Sequence, residues 1–243
     1  MGQIAYMADT GMMLEAFSLS NDAWDKLCSA PIGTLVMPRT NWPAIPKTSI
    51  RGLRFFAHHS GYPDKLPKPK SYAHIRLQID IVKAARELGF QANLEVYEPN
   101  ANTPSWIADV LIADKNGRLV AFEVQLSSQH LDDFIERTSR YKKSNIDVCW
   151  LISEKPVGER LCKALCYKNI SYYKETGQFL GDDGDILTLN IEIPDKNAYP
   201  ESLPLIRLGR GKHIKRLPLK DAIHGVMQGF PKWELPDWKW VES

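Results

Sequence analysis

The stretch Trp106–Gln125, WIADVLIADKNGRLVAFEVQ, decides the fold. Two apolar runs flank Lys115-Asn116-Gly117, and each carries an acid: Asp109 near the start of the first, Glu123 near the end of the second. Asn-Gly between such runs predicts a hairpin, because both residues tolerate positive φ. Loop length then sets the chemistry. A three-residue loop pairs Asp114 with Arg118 and sets Asp109 opposite Glu123, and cross-strand partners share a face. Gln125, two residues on, falls on that face too. A two-residue Asn116-Gly117 loop shifts the register by one and sends Asp109 to the opposite face from Glu123. An acid-pair site therefore needs the three-residue loop, commonly a type I turn followed by glycine in the left-handed region.

Two carboxylates converging from adjacent strands offer hard oxygen ligands to a divalent ion such as Mg²⁺. A metal held there polarises a phosphodiester and lowers the pKa of an attacking water. The alternative is that both acids lie on the solvated face of an antiparallel hairpin. The sequence weighs against it: Val110, Leu111, Ile112, Val120, Ala121, Phe122 and Val124 are apolar on both faces, as in strands covered on both sides. Acids within such strands are costly unless paired or coordinating.

Working outward, Ser71 to Leu88 is the clearest helix, with Ser71 as N-cap and Gly89 as the stop. Its apolar face runs through Leu77, Ile81, Ala84, Ala85 and Leu88, and His74 and Gln78 fall on it at helical spacing. Polar groups facing a core need partners; these two are either satisfied structurally or reach the acids of the hairpin. Ala92 to Glu98 reads as a strand with Glu95 at its centre, either a third acid of the site or an edge-strand surface acid. After the hairpin, Ser127 to Lys143 is a helix on which Phe134, Arg137 and Tyr141 share a face. Arg137 and Tyr141 would present a cation and a hydroxyl to a phosphate, or pack as an ordinary amphipathic face. Ile146 to Ser153 is a strand, Val157 to Tyr167 a helix and Ile170 to Tyr173 a short strand. A mixed sheet flanked by helices is the natural package for that order.

At 243 residues the chain holds one large domain or two modest ones. Hydrophobic content of 44% and charged content of 25% are those of a globular protein, and a net charge of +2 does not by itself imply nucleic acid. Cys28, Cys149, Cys162 and Cys166 form no C-x-x-C pair and no zinc spacing, so reduced thiols in a cytoplasmic protein are expected. No apolar run approaches a membrane span, and the N-terminus lacks a basic region followed by an apolar stretch. Residues 1–60 read as a β-rich unit with strands at Ile4–Met7, Met12–Phe17, Thr34–Met37 and Leu53–Ala57, ending in His58-His59. Residues 60–70 are a Pro- and Lys-rich connector.

Taken together, His74 on its helix, Ile107-Ala108-Asp109-Val110, Phe122-Glu123-Val124-Gln125-Leu126-Ser127 and Phe134-x-x-Arg137-x-x-x-Tyr141 resemble the competence protein CoiA family. That family lies in the PD-(D/E)XK, or restriction-endonuclease-like, nuclease superfamily. Phe55-Phe56-Ala57-His58 resembles the segment closing the family's N-terminal region. The resemblance spans roughly residues 50 to 150; its motifs are short singly and specific in combination. It implies an α/β, restriction-endonuclease-like core over 71–175, acting in DNA uptake, recombination or defence. Asp109 and Glu123 would hold Mg²⁺ or Mn²⁺, and Gln125 stands where the superfamily usually has a catalytic lysine. Gln125 supplies no positive charge, because its amide is neutral, so the cation comes from Arg137 or is absent. Relatives often carry paired cysteines before the Phe-Ala-His segment; here only Cys28 is present, and structural zinc is not expected.

The C-terminal extension, 176–243, adds a strand candidate at Ile186–Ile193 and a basic cluster of Arg207, Arg210, Lys212, Lys215 and Arg216, a phosphate grip or a solvated loop. Trp233, Trp238 and Trp240 near the end read as packing residues. The reading is a metal-dependent nuclease hydrolysing DNA. Asp109, Glu123 and Gln125 form its centre, with His74 and Glu95 as further catalytic candidates and Arg137 and Tyr141 on the nucleic acid. The competing readings are a degenerate nuclease fold that binds DNA without cutting it, and an RNA substrate.

Overall fold

A computed structural model describes residues 2–64, 69–98, 105–193 and 204–242. Residues 65–68 of the expected connector and the side chain of Lys212 lie outside the described residues. The chain divides into two compact units, Met1–Lys70 and Ser71–Ser243.

In the first unit, β1 (Ile4–Met7) pairs antiparallel with β2 (Met13–Glu15) on one side and, on the other, with β3 (Leu35–Val36), which follows α1 (Asn21–Cys28). A hairpin of β4 (Ala44–Thr48) and β5 (Arg54–His58) completes the unit. The expected strands form, but α1 and β4 were not foreseen. Ser20 caps α1 by accepting from the Ala23 amide at 3.2 Å, and Trp24 on its inner face packs on Phe56 with ring centroids 5.5 Å apart. Pro46 disguised β4, since proline is confined to edge strands, which is the place it holds opposite Phe56.

The second unit opens with α2 (Tyr72–Glu87), capped by Ser71 and buried along Leu77, Ile81, Ala84 and Ala85. Three antiparallel strands follow: β6 (Gln91–Tyr97), β7 (Ile107–Ala113) and β8 (Leu119–Gln125). Then α3 (Leu131–Lys143) crosses over to β9 (Asp147–Ser153), which runs parallel to β8. The helix begins four residues later than expected, at Leu131, after the N-cap His130, whose amide donates to Asp133 at 3.3 Å. Next come α4 (Glu159–Lys168) and α5 (Ile170–Thr176), and the chain returns through β10 (Leu187–Ile191), parallel to β9. The expected strand at Ile170–Tyr173 is therefore wrong: its apolar and aromatic residues are helical, and Ile186–Ile193 supplies the strand. β11 (Leu205–Leu208) and β12 (Lys215–Pro218) extend the same sheet antiparallel, giving seven strands in the order β12-β11-β10-β9-β8-β7-β6. The unit closes with α6 (Leu219–Met227), packed against α2, and a hairpin of β13 (Pro231–Glu234) and β14 (Asp237–Trp240).

The sheet is covered on both faces. Leu111, Leu119, Ala121 and Val148 pack with Tyr141 of α3 on one side. Val110, Ile112, Val120 and Phe122, at most 1% exposed, point the other way by alternation, where α2 contacts β6, β7 and β8. This is an α/β fold with a mixed central sheet between helices, consistent with a restriction-endonuclease-like core.

Candidate active site

The β7–β8 turn is the three-residue loop. The Asp114 amide donates to the Arg118 carbonyl at 3.1 Å, and the Gly117 amide to the Asp114 carbonyl at 3.2 Å. Gly117 sits at φ 82°, a conformation that suits glycine. The Asp114 carboxylate accepts from the Asn116 and Arg118 amides at 2.8 and 2.9 Å, fixing the loop from inside. Strand pairing follows: Ala113 opposes Leu119 and Val110 opposes Phe122.

Beyond that pair the ladder stops. The Val124 amide donates to the Asp109 carboxylate at 3.0 Å. On the other edge of β7, the β6 ladder skips the position of Glu95, which has φ 51°. The backbone is irregular on both sides of Asp109, so simple alternation fails there.

Asp109, 9% exposed, is held from α2. His74 Nε2 lies 3.2 Å from Oδ1. One turn on, the Gln78 amide donates to the same oxygen at 2.8 Å and to the Asp109 carbonyl at 3.3 Å. Glu123, 0% exposed, is held from α3. Arg137 donates to one carboxylate oxygen and Tyr141 to the other. The Arg137 guanidinium also lies 4.6 Å over the Trp150 ring, and Trp150 is fixed by donating to Thr138 at 3.0 Å. Burial, reinforced by the Glu123 charge and hydrogen bond, pushes the Tyr141 phenol far above its ordinary pKa. Arg137 opposes that rise and the Asp109 charge adds to it, so both acids act on one hydroxyl. Tyr141 is thereby a permanent donor. Arg137 and Tyr141 also line a cavity of about 260 Å³ with Trp106, Ile107 and Arg140.

The structure forms two clusters on neighbouring strands: Asp109 with His74 and Gln78 of α2, and Glu123 with Arg137 and Tyr141 of α3. Glu95 stands half-buried on β6 beside Asp109. Gln125 turns its amide to the Ser127 carbonyl. The four described cations of the C-terminal cluster are elsewhere, each beside an acid: Arg207 with Glu154 at 2.9 Å, Arg210 with Asp182 at 3.3 Å, Lys215 with Glu242 at 3.1 Å and Arg216 with Glu192 at 3.3 Å. Arg207 and Arg210 line a larger cavity, about 500 Å³, to which neither hairpin acid contributes. His58 and His59 bond locally, to Thr40 and to the Ser60 carbonyl. Sequence reasoning missed the Val124 amide and the Trp150 ring. The first has no side-chain signal, and the second reads only as one apolar residue in a buried strand.

Residues 70–174 match the family described as competence protein CoiA, nuclease-like domain. The matched span runs from just before the N-cap of α2 into α5 and contains both acids and the four side chains, His74, Gln78, Arg137 and Tyr141, that hold them. No curated protein and no solved structure matches the chain. Among the described residues no helix is long and apolar enough to cross a membrane.

Proposed function

We propose that the 70–174 domain hydrolyses DNA phosphodiester bonds with Mg²⁺ or Mn²⁺ held by Asp109 and Glu123. The observation that carries this reading is the pair of buried carboxylates on neighbouring strands, each gripped by two side chains one turn apart on a helix. Buried acids with dedicated charged and polar partners beside a cavity are candidates for a functional site. The donor set suits a hard ion. Two carboxylates are what Mg²⁺ typically takes from a protein, the rest of its shell being water and substrate oxygens. Among the described residues no group of three or more histidine, cysteine or acidic side chains is placed to hold a metal.

When bound, the ion supplies Lewis-acid polarisation of the phosphate and a more acidic water. The chain's own residues do the rest. Arg137, in its ion pair with Glu123 and facing the cavity, brings a positive charge to the place where a phosphate would lie. It stands in for the lysine that Gln125 replaces. Tyr141 and Gln78 fix the carboxylates without competing for protons, one as a phenol that stays protonated and the other as a neutral amide. His74 touches Asp109 from the more open side of α2 and is placed to take a proton.

One observation favours the alternative, a DNA-binding module without cleavage: the Gln125 amide is committed to Ser127 and not to the acids. Metal titration separates the two. Isothermal calorimetry with Mn²⁺ should give binding that Asp109→Asn removes; a protein that binds DNA but no Mn²⁺ supports the module.

A further inference from the structure

The helices after β9 carry an apolar surface that packing does not explain. α4 buries Leu161 and Leu165, but α5 buries no residue. Tyr167 is 79% exposed and Phe179 57%, with Ile170 and Tyr173 also open to solvent. Tyr173 and Phe179 stack with centroids 4.3 Å apart and planes inclined by 20°. Gly177, at φ 71° and with its amide on the Tyr173 carbonyl at 2.8 Å, turns the chain back and lays Phe179 over Tyr173. Exposed rings gathered in this way mark a binding surface.

Charge says what it binds. Lys163 and Tyr167 on α4, and Ile170 and Lys174 on α5, are all exposed and four residues apart within each helix, and Arg160 lies a turn before Lys163. Among the described residues Arg160, Lys163 and Lys174 have no acid partner, whereas Arg207, Arg210, Lys215 and Arg216 each have one. A phosphate therefore meets unneutralised cations on α4–α5 and neutralised ones along β11–β12. The surface also adjoins the layer that grips Glu123: Leu161 and Leu165 share a core with Phe134 of α3 and with Trp150, the ring under Arg137.

We propose that α4–α5 is a platform for single-stranded DNA. Bases stack on Tyr167 and on the Tyr173–Phe179 pair, and phosphates lie against Arg160, Lys163 and Lys174. Unpaired bases offer π-faces to such rings, while a duplex hides them. The inference rests on the nuclease reading for its substrate class and names the strand form that the site would receive.

The test is fluorescence anisotropy of a short labelled oligo(dT) with the full chain in EDTA, so that binding is read without cleavage. Tyr167→Ala, Tyr173→Ala and Phe179→Ala combined should weaken binding about tenfold or more. Lys163→Ala with Lys174→Ala should lower the salt slope by about 1.4, or 0.7 for each single-strand phosphate contact. A duplex of matching length should compete poorly. Unchanged affinity in both variants, or equal competition by duplex, overturns the proposal. So does a wild-type dimer that the aromatic variant dissociates, since the surface would then be a protein contact. Cutting that is lost in Glu123→Ala, together with unchanged oligo(dT) affinity in both platform variants, would leave the nuclease standing and the platform refuted.

Discussion

The Asp109 carboxylate accepts the amide of Val124 at 3.0 Å, and Val124 is the residue next to Glu123. One acid is thus tied to the main chain that carries the other. The bond links β7 to β8 just beyond the point where their pairing ends. Asp109→Asn keeps the size of the side chain but removes its charge, and Glu123→Gln does the same on β8. Each should reduce metal-dependent cleavage about a hundredfold or more, with the fold retained by circular dichroism.

Gln78 is a positioning residue. Its amide is the buried donor on Asp109, and removing one partner of a buried polar pair costs about 1–3 kcal/mol. Gln78→Leu should lower stability by that amount in urea unfolding. It should also reduce kcat more than KM, because it loosens Asp109 without touching substrate.

Tyr141 gives a pH signature. Its folded-state pKa is raised, so its contribution to stability is complete below the unfolded value of about 10 and is lost as pH rises toward the folded value. Above about pH 10 the wild type should lose roughly 1.4 kcal/mol per pH unit more than Tyr141→Phe does. Parallel stability curves for the two proteins from pH 9 to pH 12 would contradict this.

Much of this was legible in the sequence. The hairpin register followed from the Lys115-Asn116-Gly117 loop, and it placed Asp109 and Glu123 at matching positions because side-chain period and loop length leave little freedom. The α2 and α3 periodicity put His74, Gln78, Arg137 and Tyr141 on inward faces. The way the acids are shared out was not legible. Alternation predicts one face for both, yet α2 holds Asp109 and α3 holds Glu123. The irregular backbone at Glu95 and Asp109 has no glycine or proline to announce it. Ile170-Ser-Tyr-Tyr reads as a strand from β-branched and aromatic content, and local propensity gave way to the helix that Gly177 ends.

Gly117 tests the register directly. Alanine there must adopt φ 82°, at a cost of about 1–2 kcal/mol for a residue in the left-handed region. Gly117→Ala should shift the urea midpoint accordingly while cleavage per folded molecule stays near wild type. A large loss of activity at full stability would mean that the loop takes part in the chemistry.

Thiol labelling reports on the sheet. Cys149 is buried in β9, and burial pushes its thiol well above the ordinary range, while Cys28 is exposed. Iodoacetamide on the native protein should modify Cys28 and leave Cys149 untouched until denaturant is added, as read by peptide mass spectrometry.

The central claim is that Asp109 and Glu123 form a metal-dependent nuclease site. The most direct measurement compares wild type and Glu123→Ala on single-stranded, duplex and branched DNA, with Mn²⁺, with Mg²⁺ and with EDTA. The account predicts cutting by wild type that requires the metal and disappears in the variant. Equal cutting by both proteins, or cutting that persists in EDTA, would contradict it.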